Sequence, residues 1–138
     1  MRKTAKSDNR LPFDQLFFDT RFKSLDNQKK DLITDCLQMV QKGPSASNKQ
    51  PWRIVIDSDQ KIYHFYLSRT KNYAKLLKYD IQALDIGIAL AHFELGLKDY
   101  NINFDRVVLD DKSSLGLFAL KASFPYLLYH HSLLYLLH

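Results

Sequence analysis

The chain has 138 residues, of which 46% are hydrophobic, 25% charged and 13% aromatic; this excludes a disordered chain and fits one globular domain. A lone cysteine, Cys36, excludes an intramolecular disulfide and points to a core role in a reducing compartment, so the cytoplasm is the expected location. The net charge of +5 is compatible with an anionic ligand but selects none.

Met1 to Arg10 is polar and basic and lacks the apolar run of a secretory signal, so export by that route is not expected. Leu11-Pro12-Phe13 and Leu16-Phe17-Phe18, spaced by Asp14, Asp19 and Arg21, read as a short helical turn and a packed loop. From Asp26 to Lys42, Leu32, Cys36 and Val40 fall four apart with Ile33 and Leu37 beside them, which predicts an amphipathic helix with Asp26 as N-cap. Gly43-Pro44 should stop it, Gly43 by taking the left-handed conformation and Pro44 by lacking a backbone donor.

Ser45 to Gln50 is a polar loop. Trp52 to Ile56 and Ile62 to Leu67 flank the turn residues Asp57-Ser58-Asp59-Gln60 and predict a hairpin, with Tyr63, Phe65 and Leu67 on one face. Ser68 to Tyr79 is a basic connector. Asp80 to Lys98 predicts a second helix, with Leu84, Ile88, Ala91 and Leu95 on its buried stripe and Asp85, Ala89, His92 and Gly96 beside it, where small residues would let something flat come close. Val107-Val108-Leu109 reads as a short strand.

From Ser113 to His138 the only charged residue is Lys121, and the segment shows no capping signal apart from Pro125. Its longest uncharged run, Ala122 to His138, is 17 residues and falls short of the roughly 20 apolar residues that cross a bilayer, so no membrane span is expected.

Chemistry is concentrated in the loop. Ser45, Ser47, Asn48 and Gln50 can donate to and accept from the polar edge of a planar heterocycle; alternatively they satisfy neighbouring backbone groups in a polar turn. Arg69, Lys71, Lys75 and Lys78 among Tyr73 and Tyr79 could hold a cofactor phosphate or form a solvated loop, and no recognition motif accompanies them, so nucleic acid is not expected. Asp85 and His92, seven apart on one helix face, read as a proton relay or a buried pair. His130, His131 and His138 lack companion ligands at metal spacing, so no metal site is expected.

The run Pro44-Ser45-Ala46-Ser47-Asn48-Lys49-Gln50-Pro51-Trp52-Arg53 with its following strand resembles the flavin-contacting segment of the nitroreductase family. Asp85-Ile86-Gly87-Ile88-Ala89-Leu90-Ala91-His92-Phe93-Glu94-Leu95 resembles the long central helix of its Thermotoga-type branch. Ala5-Lys6-Ser7-Asp8-Asn9-Arg10-Leu11-Pro12 and Leu16-Phe17-Phe18 also resemble that branch, so the likeness covers Lys3 to Asn103.

The resemblance implies an α+β, nitroreductase-like half-domain of amphipathic helices packed on a β-hairpin, residues 1–112, followed by an atypical apolar tail, residues 113–138. It implies a flavoprotein that holds FMN noncovalently and passes electrons from NAD(P)H to a small aromatic or quinone-like acceptor, with Pro44, Ser45, Ser47, Asn48 and Gln50 lining the flavin ring. No catalytic side chain need be sought, because the flavin carries the chemistry. Members of the branch are about twice as long and consist of two related halves, and the arginine and serine motif that grips the FMN phosphate lies in the first. This chain matches the second, so a complete site would require self-association or a missing N-terminal half. A non-enzymatic remnant or interaction module without cofactor is the alternative.

Overall fold

The structure, a computed structural model, describes residues 8–73, 75, 77–107 and 116–124, with side chains described outside 116–118. A short 3-10 turn at Phe13–Gln15 leads into β1 (Phe17–Asp19), followed by α1 (Leu32–Lys42), a second 3-10 turn (Ala46–Asn48), β2 (Trp52–Asp57), β3 (Ile62–Leu67), α2 (Ile81–Asp99), β4 (Asn103–Val107) and β5 (Gly116–Ser123). The strands form one sheet in the order β1-β2-β3-β5-β4; β1 runs parallel to β2 and every other pair is antiparallel. The α+β class expected for the chain is the class observed.

The hairpin forms in the expected register, Trp52 opposite Leu67 and Asp57 opposite Ile62. Its turn is held by the Asp57 carboxylate, which accepts the backbone N–H groups of Asp59 and Gln60. Alternation then turns Ile54, Ile56, Tyr63 and Phe65 inward, where Phe93 of α2 packs with its ring centroid 4.8 Å from Tyr63 and 5.8 Å from Phe65. Trp52, Phe17 and Leu120 complete this layer, and α1 adds Cys36, Leu37 and Val40.

Three local expectations change. The N-cap of α1 is Asp31, whose carboxylate accepts the Thr34 N–H at 2.7 Å; Asp26 instead closes a separate turn by accepting the Gln28 N–H. Gly43 is not left-handed (φ −59°, ψ 146°), so it is the following Pro44 that prevents another helical turn. The strand expected at Val107-Val108-Leu109 begins earlier, at Asn103, and residues 108 and 109 lie outside the described residues.

The largest change concerns α2. Leu84, Ala91 and Leu95 are exposed and Ile88 is half-buried, whereas Asp85, Ile86, Ala89, Leu90, Phe93 and Leu97 face inward. The helix is apolar on nearly every side, so its periodicity supports two stripes, and its inward polar residues are ones that find partners. Glu94 accepts from Arg106 of β4 at 2.7 and 3.0 Å, and Gln82 bonds Thr70. The small residues of the inward stripe admit α1 rather than a flat ligand: a Cβ on Gly96 would lie 2.9 Å from Cys36 Sγ and 3.0 Å from Met39 Sδ.

Residues 116–123, part of the segment expected as a tail, form β5 between β3 and β4. Residues 125–138, with His130, His131 and His138, lie outside the described residues. Among the described residues no helix is long and apolar enough to cross a membrane.

Candidate functional site

The loop between α1 and β2 is built from backbone conformations that side chains ordinarily avoid. Ser47, Asn48 and Gln50 have φ of 49°, 53° and 48°, all left-handed, each costing on the order of 1 kcal/mol for a non-glycine residue. Such a conformation persists only where its surroundings overdetermine it, and here they do.

Gln50, only 3% exposed, is the hub. Its Oε1 accepts the Leu11 N–H at 2.7 Å, and its Nε2 donates to the Asn48 carbonyl and to Asn48 Oδ1, both at 3.0 Å. Asn48 Nδ2 in turn donates to the Asn9 carbonyl at 2.6 Å, and Arg10 donates to Asn48 Oδ1 and to the last carbonyl of α1, that of Lys42. The segment Asn9 to Leu11 is thereby laced to the loop, with Gln41 Nε2 donating to the Leu11 carbonyl as a further tie.

The loop is also held from beneath. Asp85 of α2 is 2% exposed and its Oδ1 accepts the Ala46 N–H at 3.0 Å, while its Oδ2 is buried without a protein partner among the described residues. Burial raises the Asp85 carboxyl above its ordinary value, partly offset by the Ala46 hydrogen bond. Neither the relay nor the buried pair considered for Asp85 and His92 is formed among the described residues: Asp85 Oδ1 bonds Ala46, and His92 Nδ1 bonds the Ile88 carbonyl of its own helix at 2.8 Å.

The outer rim consists of Pro44, Ser47 and Lys49, all exposed, with Ser45 half-buried beside them. Ser45 Oγ accepts the Gln50 N–H at 2.8 Å and Ser47 Oγ accepts the Tyr73 hydroxyl at 2.9 Å, so each serine keeps its own O–H to donate. Lys49 Nζ lies 5.3 Å from the centre of the Tyr73 ring, joining the rim to the basic connector. Of the expected ring-lining residues, Pro44, Ser45 and Ser47 therefore present groups outward, and the Asn48 and Gln50 amides are spent on the loop itself.

The connector places its charges differently from a phosphate clamp. Arg69 forms a two-pronged ion pair with Asp80, the N-cap of α2, and holds that carboxyl below its ordinary value. Both belong to a depression of about 290 Å³ lined also by Tyr73, Lys78, Tyr79 and Gln82. With Asp80 already capping the helix through the Ala83 N–H, the helix N-terminus is satisfied by the chain's own anion.

The lacing of Asn9 and Arg10 and the contact of Tyr73 with Ser47 have no local sequence signal. Asp85 does have one: it is the lone charge between Ile81 and Phe93, and a lone acid in an apolar helix needs a partner.

Residues 3–97 match the family described as "Putative TM nitroreductase", and the chain belongs to that family. Its fold is similar to that of the crystal structure described as "a putative nitroreductase" from Thermotoga maritima, with a TM-score of 0.53 at 19% identity, a likeness of fold alone. The alignment covers 81% of this chain and 41% of the Thermotoga chain, so this chain spans less than half the length of the protein it is similar to. No curated protein matches it.

Proposed function

We propose that the chain supplies the ring side of an FMN site in a nitroreductase-type oxidoreductase, as the second half of the family's domain. The observation that carries this reading is the strained loop at Ser47, Asn48 and Gln50, held rigid by Gln50 and Asp85 while its rim stays open. Strain locked in place ahead of any ligand is preorganisation, which lowers the ordering cost of binding a rigid planar group.

The donor set fits such a ring. Pro44 offers an apolar ledge, and the free O–H groups of Ser45 and Ser47 can donate to carbonyl or ring-nitrogen acceptors on its edge. Asn48 and Gln50 act by fixing the backbone that carries those donors. When bound, FMN would supply electron transfer from NAD(P)H to a small aromatic or quinone-like acceptor. The chain's own part is to bind and orient the ring, and the phosphate grip comes from a second polypeptide or a second copy. On this reading the chain works in the cytoplasm, the location expected from its lone cysteine.

The spent amides of Asn48 and Gln50 favour a second reading, a scaffold that keeps the loop without cofactor. Equilibrium dialysis against FMN separates the two. Retention of flavin by the chain, alone or mixed with the first half of a full-length relative, supports the flavin site. Absence of retention in both supports the scaffold.

A further inference from the structure

The connector from Ser68 to Tyr79 carries Arg69, Lys71, Lys75 and Lys78 and no acid. Arg69 spends its charge on the two-pronged pair with Asp80. Lys78 lines the same depression of about 290 Å³ and makes no ion pair or hydrogen bond among the described residues. With Arg69 and Asp80 cancelling one another, the charge left there is the Lys78 ammonium.

Beside that cation stand groups that water does not favour. Leu77 is 43% exposed and Tyr79 59%, and Tyr73 and Ile81 complete the wall. Gln82 is committed to Thr70, its Oε1 accepting the Thr70 N–H and its Nε2 donating to Thr70 Oγ1, both at 3.1 Å. The helix N-terminus is met by Asp80, so the depression offers a ligand two phenol rings, an aliphatic patch and one ammonium.

The wall is also fixed in place. The Tyr73 N–H donates to the Thr70 carbonyl at 3.2 Å, and its hydroxyl donates to Ser47 Oγ at 2.9 Å. Through Thr70 and Gln82 it is tied to α2, and through Ser47 to the rim of the candidate loop.

We propose that this depression binds a small aromatic monoanion, a single ring bearing a carboxylate, with the ring against Tyr73 and Tyr79 and the anionic group on Lys78. The ring would cover apolar surface of Leu77, Ile81 and the tyrosines, and the carboxylate would gain a charge-assisted hydrogen bond. One available cation suits a monoanion better than a phosphate dianion. An apolar cavity of about 150 Å³ already holds benzene, so about 290 Å³ accommodates one ring and its substituent. Because Tyr73 also donates to Ser47, the ligand adjoins the rim, where it would hold the anionic substituent of an aromatic acceptor. That last placement rests on the flavin reading; the binding does not.

Saturation-transfer NMR of the full chain, without flavin, compares benzoate, benzyl alcohol and acetate. Benzoate should bind at least about tenfold more tightly than either, since only it uses both the rings and the ammonium. Lys78→Gln should reduce benzoate to the affinity of benzyl alcohol and leave the alcohol unchanged. Tyr79→Ala should weaken both ring ligands about fivefold or more. Lys30→Gln, which removes an exposed ammonium just before α1, should change nothing and controls for net charge. Far-ultraviolet circular dichroism checks that each variant is folded.

Absence of benzoate binding, benzoate no tighter than benzyl alcohol or acetate, or an equal loss in Lys78→Gln and Lys30→Gln would overturn the proposal. An FMN titration that fails leaves this site standing, and failure here leaves the flavin reading standing.

Discussion

The Asp85 carboxylate accepts the Ala46 N–H at 3.0 Å, so a residue in the second turn of α2 holds the first residue of a 3-10 turn 39 positions earlier in the chain. That single bond ties the long helix to the loop proposed to face the flavin, and it does so with a buried carboxylate whose second oxygen has no partner among the described residues.

Asp85 should therefore make stability depend on pH. Its folded-state value is raised, so the folded chain holds this proton more tightly than the unfolded one. Stability should fall as pH rises from the unfolded value near 3.8 through the raised folded value, and then level off. Asp85→Asn keeps an acceptor for Ala46 and should flatten that part of the profile. Asp85→Ala leaves the Ala46 N–H without its acceptor and should cost about 1–3 kcal/mol. Urea unfolding of the three proteins between pH 4 and 7 measures both effects.

Gln50→Ala removes three hydrogen bonds from a buried position and strands the Leu11 N–H. The expected loss is about 2–3 kcal/mol. Gln50→Glu should be no milder, since a carboxylate would face the Asn48 carbonyl and Oδ1 that now accept from Nε2. Denaturant midpoints at constant slope would register both, and a wild-type midpoint in either variant would show that the hub is dispensable.

The two glycines in the middle and last turns of α2 should respond in opposite directions. Gly96→Ala sets a Cβ 2.9 Å from Cys36 Sγ, so α1 and α2 must part at a cost of about 1–3 kcal/mol. Gly87→Ala meets open space and should stabilise the helix by up to about 1 kcal/mol. Thermal melts of dilute protein distinguish the pair.

These contrasts follow the line between what local pattern encodes and what it does not. The hairpin was legible because β-branched and aromatic alternation in Trp52 to Leu67 coincides with turn chemistry at Asp57. Both helices were legible from their periods, and Asp80 caps α2 where a helix start was expected. The face of α2 was not, since a helix apolar on nearly all sides offers more than one stripe and only partners such as Arg106 and Ala46 decide which polar residues turn inward. β5 was missed because Gly116 to Ser123 reads as the start of an apolar tail with Lys121 as its one charge, and its strand character comes from lying between β3 and β4. The candidate loop was visible as a polar run, but its lacing to Asn9, Arg10 and Leu11 joins residues 38 or 39 positions apart, a distance at which sequence spacing carries no signal.

Ser47→Gly separates the rim from the scaffold. Glycine accepts the left-handed conformation of Ser47 without strain, so stability should be unchanged or slightly raised. Loss of the hydroxyl that faces outward should weaken FMN binding about tenfold, the value of one hydrogen bond. Equal affinity in the variant would remove Ser47 from the ring-lining set.

The most direct test is a flavin-fluorescence titration of the full chain with FMN, carried out with and without the first half of a full-length relative. The account predicts saturable quenching at a fixed stoichiometry once a second polypeptide or a second copy completes the phosphate grip, weakened by Ser47→Gly. Flavin fluorescence that stays unchanged under both conditions would contradict it.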